Sequence, residues 1–168
     1  DDDRWADLLR SMRFHGKGAD KYDNVRLGMN SRLDTLQAAI LLEKLTIFDE
    51  ERAARQNVAE RYSEALQDRL TVPHVPEGLS PAWAQYTVRT GSEQERTALR
   101  ARLAEAGIPT NIYYPTPLHR LTAYREYPCD PEGLANSEMA TQTVFSLPVH
   151  PYLSEDDQDL VIETLMGL

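Results

Sequence analysis

The sequence predicts an α+β fold, with helices first and then a small domain that has a short, mainly antiparallel sheet and further helices. Residues 1–66 carry apolar side chains at helical spacing and contain no strand pattern. Residues 67–168 begin with a stretch interrupted by Pro73, Pro76 and Pro81, and short alternating segments then follow between helical ones. We therefore predict two parts, a helical segment 1–66 and a small α+β domain 67–168.

The helical segment contains two predicted helical regions. Residues 1–14 form an amphipathic helix with Trp5 and Leu8 on its apolar face, and Gly16 is its expected stop. Residues 33–66 form either one long helix or two helices broken near Asp49. Ser31, with an acidic residue three positions later, resembles a capping box and predicts where this region begins. The apolar residues of 33–48 lie on more than one face, which predicts a helix buried on several sides.

The second part alternates strands and helices. We predict strands at 70–73, 84–89 and 110–114, where β-branched and aromatic residues alternate with polar ones. We predict helices at 93–106, 121–127 and 131–143, and a last helix capped by Ser154. The helices are expected on one face of the sheet.

Composition excludes several classes of function. The net charge of −9, with no basic stripe, argues against nucleic-acid binding. No run approaches the roughly 20 apolar residues of a membrane helix, and no signal peptide is visible, so we expect a cytoplasmic protein without a membrane partner. Cys129 is the single cysteine, which rules out an internal disulfide framework. No cluster has metal-ligand spacing, so no metal ligand is expected.

Four motifs in register along the chain carry the functional signal. The first runs from His15-Gly16 through Gly28-Met29-Asn30-Ser31-Arg32 into the apolar helix. The second is 107–119 and ends Tyr-Tyr-Pro-Thr-Pro-Leu-His, the third is Glu138 with its helix, and the fourth is 146–153. A glycine-rich loop that feeds polar side chains into a helix start is a favourable place for an anion. Together these motifs closely resemble the nucleotide-sugar aminotransferases of the DegT/DnrJ/StrS-type family, which depend on pyridoxal 5'-phosphate (PLP) and have the fold-type I architecture.

The resemblance assigns roles to two residues of the first motif. It implies that Asn30 binds the PLP phosphate of a partner subunit, in a homodimer with shared active sites. It also implies that Arg32 meets the nucleotide-sugar substrate, notably a carboxylate on the sugar. An amide donor and a planar guanidinium both suit oxyanions. The alternative is that Asn30 only adopts a left-handed turn before the helix.

Five further residues are candidate substrate contacts. Lys17 and Lys21 lie in the polar loop, where they either guide a diphosphate or remain solvated. Tyr113 stands where the family often has histidine, so its phenol can donate a hydrogen bond but does not titrate near neutral pH. Tyr114 is the better substrate contact by resemblance, and His119 either lines the cleft or makes a structural hydrogen bond.

The resemblance also places the Schiff-base lysine before position 1, so we expect no catalytic residue here and an inactive chain on its own. The expected apolar surface left on the helical segment predicts dimerisation or rearrangement. For the intact protein we expect PLP-dependent transamination of a keto-sugar nucleotide, with L-glutamate as donor, for surface-polysaccharide synthesis. The sequence of the first motif resembles that of family members that act on UDP-linked 3-keto amino-uronic acids in O-antigen or lipopolysaccharide synthesis. The alternatives are a non-enzymatic binding module and a PLP-dependent sugar dehydratase.

Overall fold

Helices and one short antiparallel sheet make up the fold in a computed structural model, which describes residues 1–20 and 22–167. The chain forms two compact units, Asp1–Ile47 and Phe48–Leu168. This boundary lies earlier than the predicted 66/67 division. The reason is that the helix Phe48–Leu66 places four residues in the core of the second unit, namely Val58, Ala59, Tyr62 and Leu66.

The first unit contains α1 (Asp3–Met12) and α2 (Thr35–Leu45), joined by a long loop. The Asp34 carboxylate accepts a hydrogen bond from the Gln37 backbone N–H at 2.8 Å, which makes Asp34 the N-cap of α2. The predicted start at Ser31 is therefore wrong. The Ser31 N–H instead donates to the Arg13 carbonyl at 2.9 Å, which keeps Ser31 in the loop.

No residue of α2 is buried in the described part of the chain. Leu36 is 74% exposed and Leu42 is 65% exposed. The prediction of a helix buried on several sides is wrong for this chain, whereas the expected exposed apolar surface is present.

The second unit begins with α3 (Phe48–Leu66), so the two-helix alternative for 33–66 is confirmed, with the break at Thr46 and Ile47. Strands β1 (Tyr86–Arg89) and β2 (Val144–Leu147) pair antiparallel, with Tyr86 opposite Leu147. Their buried residues Tyr86, Val88 and Phe145 join the core. The α+β class with a short antiparallel sheet is confirmed.

The predicted strands at 70–73 and 110–114 are not formed, and each segment contributes only one isolated β-bridge. Thr71 pairs with Arg89 on one side of the sheet, and Asn111 pairs with Ser146 on the other. Pro73 and Pro115, which lack an N–H, limit how far such ladders can extend. The sequence reasoning missed β2, which follows directly after a helix without an intervening turn signal.

Three helices complete the second unit: α4 (Glu93–Glu105), α5 (Ala135–Thr143) and α6 (Glu155–Met166). Ser154 caps α6 as predicted, because its hydroxyl accepts the Asp157 N–H at 3.1 Å. The predicted helix at 121–127 is absent from the described structure. A short 3-10 helix, Leu118–Arg120, occurs just before it, and the extended Leu121 (ψ 141°) ends that turn.

Candidate functional site

The loop between α1 and α2 folds back so that residues 28–31 lie against residues 12–15. The Met29 N–H donates to the Met12 carbonyl at 2.8 Å, and the His15 N–H donates to the Met29 carbonyl at 3.0 Å. Phe14 and Asn30 form an antiparallel bridge between these backbone bonds. The local sequence thus holds Asn30 at a fixed place beside the end of α1.

Two glycines make this close backbone approach possible. A Cβ on Gly28 would lie 2.2 Å from the Gly16 nitrogen and 2.5 Å from the Met12 carbonyl oxygen. A Cβ on Gly16 would lie 1.8 Å from the Arg26 carbonyl oxygen, and Gly16 also has a φ of 76°. The two motif glycines are therefore required by packing of backbone on backbone.

Asn30, Arg32 and Lys17 are brought together around Phe14. Arg32 Nε donates to Asn30 Oδ1 at 2.9 Å, and the guanidinium carbon lies 4.4 Å from the centre of the Phe14 ring. Lys17 Nζ lies 5.7 Å from the same ring centre. The ring quadrupole favours both cations, so an aromatic residue that the sequence reasoning overlooked organises this cluster.

The arrangement leaves Asn30 able to donate. Its carbonyl oxygen accepts from Arg32, and no described residue accepts from its NH₂ group. The left-handed alternative for Asn30 is wrong, because among the described non-glycine residues only His15 (φ 59°) and Trp83 (φ 47°) have positive φ. An amide donor beside a guanidinium and an ammonium is suited to a phosphate or carboxylate. Lys21, the other candidate in this loop, lies outside the described residues.

The second unit has its own cavity of about 530 Å³, in the size range of small-molecule sites. Tyr113, Tyr114 and His119 line this cavity, so the three residues of the second unit that were predicted to contact substrate lie together. The Tyr113 and Tyr114 rings pack edge to face, with centroids 5.8 Å apart. The sequence reasoning missed the other main contributors to the wall, which come from turns and from α5: Tyr124, Tyr127, Leu134, Ser137, Ala140 and Thr141.

Glu138, in the first turn of α5, contacts two side chains of the 3-10 helix Leu118–Arg120. His119 Nε2 lies 2.9 Å from Glu138 Oε1, and Arg120 Nε donates to the same oxygen at 2.7 Å. The Arg120 hydrogen bond, followed by the His119 one, holds the pKa of Glu138 below its usual range. Glu138 is therefore a carboxylate at neutral pH, and the predicted structural hydrogen bond of His119 coexists with its place in the cavity.

Among residues 1–20 and 22–167, none of the helices combines the length and the apolar character of a transmembrane span. Within the same residues, no group of three or more histidine, cysteine, aspartate or glutamate side chains could hold a metal ion.

The model of the DegT/DnrJ/EryC1/StrS aminotransferase family matches residues 1–166. The chain belongs to this family. The resemblance predicted from the four motifs is thereby confirmed. A solved structure described as the PLP form of a putative sugar aminotransferase from Streptococcus pneumoniae has 25% identity and a TM-score of 0.85, and the match covers 99% of this chain and 44% of that one.

Two other proteins are more similar to this chain. The UDP-2-acetamido-2-deoxy-3-oxo-D-glucuronate aminotransferase of Pseudomonas aeruginosa is 42% identical over 153 residues, which are 90% of this chain and 41% of that protein. The solved structure of a family aminotransferase from Brucella abortus has 52% identity and a TM-score of 0.93, and the match covers 99% of this chain and 44% of that one. The chain thus spans less than half the length of the relatives it matches.

Proposed function

We propose that the protein to which this chain belongs transfers an amino group from an amino acid, L-glutamate, to a keto-sugar nucleotide. We further propose that the acceptor is a UDP-linked 3-keto amino-uronic acid and that the product serves surface-polysaccharide synthesis, as in O-antigen or lipopolysaccharide. The observation that carries this choice is the 42% identity to the Pseudomonas aeruginosa enzyme, whose name specifies a 3-oxo-glucuronate linked to UDP. We also propose that none of the lysines in this chain forms the Schiff base expected from the family, and that the chain is inactive by itself.

The first-unit cluster supports binding of anions. Asn30 keeps its NH₂ donors available, which fits a phosphate oxygen, and we assign it to the PLP phosphate of a partner subunit. When bound, PLP supplies the electron sink for amino transfer. Arg32 uses only its Nε toward Asn30, so the outer edge of its guanidinium is placed to form a bidentate pair with the uronate carboxylate. Lys17, with Lys21, is proposed to attract the diphosphate.

The cavity of the second unit supports binding of the sugar nucleotide. Tyr113 and Tyr114 provide phenolic hydroxyls and aromatic faces, and both side chains are exposed enough to reach a ligand. His119 lines the same wall. Such a mainly apolar cavity with a few polar groups is the usual composition of a small-molecule site.

The exposed apolar face of α2 supports a homodimer, since apolar residues such as Leu36 and Ile40 gain stability only when another surface covers them. We propose a cytoplasmic homodimer with shared active sites. A mass measurement of the purified gene product, together with its PLP absorbance, tests whether the complete enzyme binds the cofactor.

Transamination by the gene product that contains this sequence tests the proposal. The assay follows 2-oxoglutarate formed from L-glutamate with two acceptors, a UDP-linked 3-keto amino-uronate and a neutral dTDP-linked 4-keto sugar. We expect turnover of the uronate. In the Arg32→Gln variant, kcat/KM for the uronate should fall more than tenfold, since a charge-assisted pair is worth about 1.5–3 kcal/mol. Arg125→Gln, at an exposed position, is the matched control. Turnover of the neutral sugar without turnover of the uronate would refute the assignment.

A further inference from the structure

Residues 112–134 form much of the cavity wall, yet they contain little regular structure. Their one helical element is the 3-10 helix Leu118–Arg120. On one side they follow Asn111, which is bridged to Ser146 of β2, and on the other they lead into α5. Among the described residues, the side-chain hydrogen bonds that tie this segment to the rest of the unit go from His119 and Arg120 to Glu138.

Glu138 is well placed to act as an anchor. It lies in the first turn of α5, where the helix dipole favours a negative charge. The helix is itself fixed, because its last residue, Thr143, is buried and continues directly into β2. The side chains of His119 and Glu138 are 18% and 35% exposed, so their contact is only partly screened by water.

The contact also determines which nitrogen of His119 carries the proton. A carboxylate only accepts hydrogen bonds, so the ring nitrogen beside it, Nε2, must be protonated. In the neutral ring Nδ1 is then the acceptor, and no described residue donates to Nδ1. Because His119 lines the cavity and its Nε2 is bonded to Glu138, Nδ1 is the ring nitrogen left to accept from a ligand hydroxyl there.

We propose that Glu138 is a positioning residue for this cavity. It fixes His119 as the Nε2–H tautomer, presents Nδ1 as an acceptor for a sugar hydroxyl, and holds the 118–120 turn against α5. The substrate part of this statement rests on the proposed function. If that function is correct, Glu138→Gln raises KM for the keto-sugar nucleotide about three- to tenfold, the value of one hydrogen bond, and leaves kcat almost unchanged.

Nitrogen-15 NMR of the 168-residue chain tests the positioning role without any activity. Histidine is labelled, the spectra are recorded near pH 8.5, where an ordinary histidine is neutral, and His119→Gln identifies the His119 resonances among the four histidines. Three proteins are compared: the unchanged chain, Glu138→Gln, and Glu132→Gln as a control that removes a charge from the same segment. Amide hydrogen exchange of residues 118–121 is measured in parallel.

The unchanged chain and Glu132→Gln are expected to show the Nε2–H tautomer. Glu138→Gln is expected to show both tautomers, because a glutamine amide can donate as well as accept, and at least fivefold faster exchange at 118–121. A mainly Nδ1–H tautomer in the unchanged chain overturns the proposal even if the variant unfolds. So does a Glu138→Gln spectrum identical to that of the unchanged chain. A confirmed tautomer in a gene product that does not transaminate refutes the proposed function alone.

Discussion

Two buried tyrosines in the core of the second unit should differ in how much stability they lose when the hydroxyl is removed. Tyr62 and Tyr86 are each 0% exposed, and their rings lie 5.2 Å apart. The Tyr86 hydroxyl lies 2.8 Å from Ser63 Oγ. Ser63 donates its own proton to the Ala59 carbonyl at 2.9 Å, so Tyr86 is the donor in this pair. No described residue bonds the Tyr62 hydroxyl.

The difference in hydrogen bonding sets the expected free energies. Tyr86→Phe loses one hydrogen bond and leaves a small void, which together cost about 1–2 kcal/mol. Tyr62→Phe removes a buried hydroxyl without a partner, whose desolvation costs about 1–3 kcal/mol, against about 0.5–1 kcal/mol of lost packing. We therefore expect Tyr62→Phe to be neutral or to stabilise the unit by about 1 kcal/mol. The two variants should differ by about 2 kcal/mol.

Urea unfolding followed by tryptophan fluorescence measures this difference. The chain has two tryptophans, and Trp5 is 57% exposed in the first unit while Trp83 is buried in the second. In a Trp5→Phe background, fluorescence therefore reports on the second unit alone. Equal m-values are required before the free energies of unfolding are compared.

Alkaline pH provides an independent check on the same residue. Burial, followed by the neighbouring Tyr86, raises the pKa of Tyr62 far above its ordinary value of about 10. The folded state then holds the Tyr62 proton more tightly than the unfolded state does. The contribution of Tyr62 to the free energy of unfolding is therefore fully present below about pH 10 and falls as pH rises above it. Tyr62→Phe should make this fall shallower. Equal destabilisation by Tyr62→Phe and Tyr86→Phe at neutral pH would refute the reasoning.

Three other predictions concern packing, capping and acid stability. Leu103→Ala, at a position 0% exposed, should cost about 2–5 kcal/mol of unfolding free energy in urea, whereas Leu42→Ala, at 65% exposure, should change it by less than about 0.5 kcal/mol. Ser154→Ala removes the cap of α6 and should cost about 1 kcal/mol in the same assay, whereas an unchanged value would show that the cap is not needed. The Arg69 hydrogen bond, followed by the Gly91 N–H, lowers the pKa of Glu95, so its stabilising contribution is present above the ordinary pKa of about 4.3 and is lost as pH falls below it. Glu95→Gln should flatten the acid side of a stability curve measured between about pH 2 and 6, and an unaltered acid slope would contradict this.

The sequence predicted elements where local signals and tertiary packing agree. The amphipathic α1 and the capped α4 and α6 were all visible as periodic apolar residues beside a cap or a glycine. Strand β2 was missed because it begins directly after α5, with no turn signal between Thr143 and Val144. Strand β1 is equally far from its partner along the chain but follows a proline-rich stretch, which marks its beginning.

The candidate sites were predictable to the extent that single motifs contain them. Asn30 and Arg32 are two positions apart, and Tyr113 and Tyr114 are adjacent, so the motifs identified them directly. Phe14 lies outside those motif positions and is brought to Asn30 by a backbone bridge. Glu138 was visible in its motif, but its role was not, because the hydrogen bond to His119 joins residues 19 positions apart.

Helix α2 has the apolar sequence of a buried helix but is exposed in this chain. An isolated helix of 11 residues is only marginally stable in water, and none of the residues of α2 is buried within the described part of the chain. Its apolar side chains, such as Leu36 and Leu42, would contribute roughly 1.5–3 kcal/mol each if another surface covered them. Leu42→Ala is therefore expected to have little effect in this chain but a large effect in an assembly that buries α2. Comparing the same substitution in the 168-residue chain and in the longer gene product measures that burial directly, and equal small effects in both would argue that α2 stays exposed.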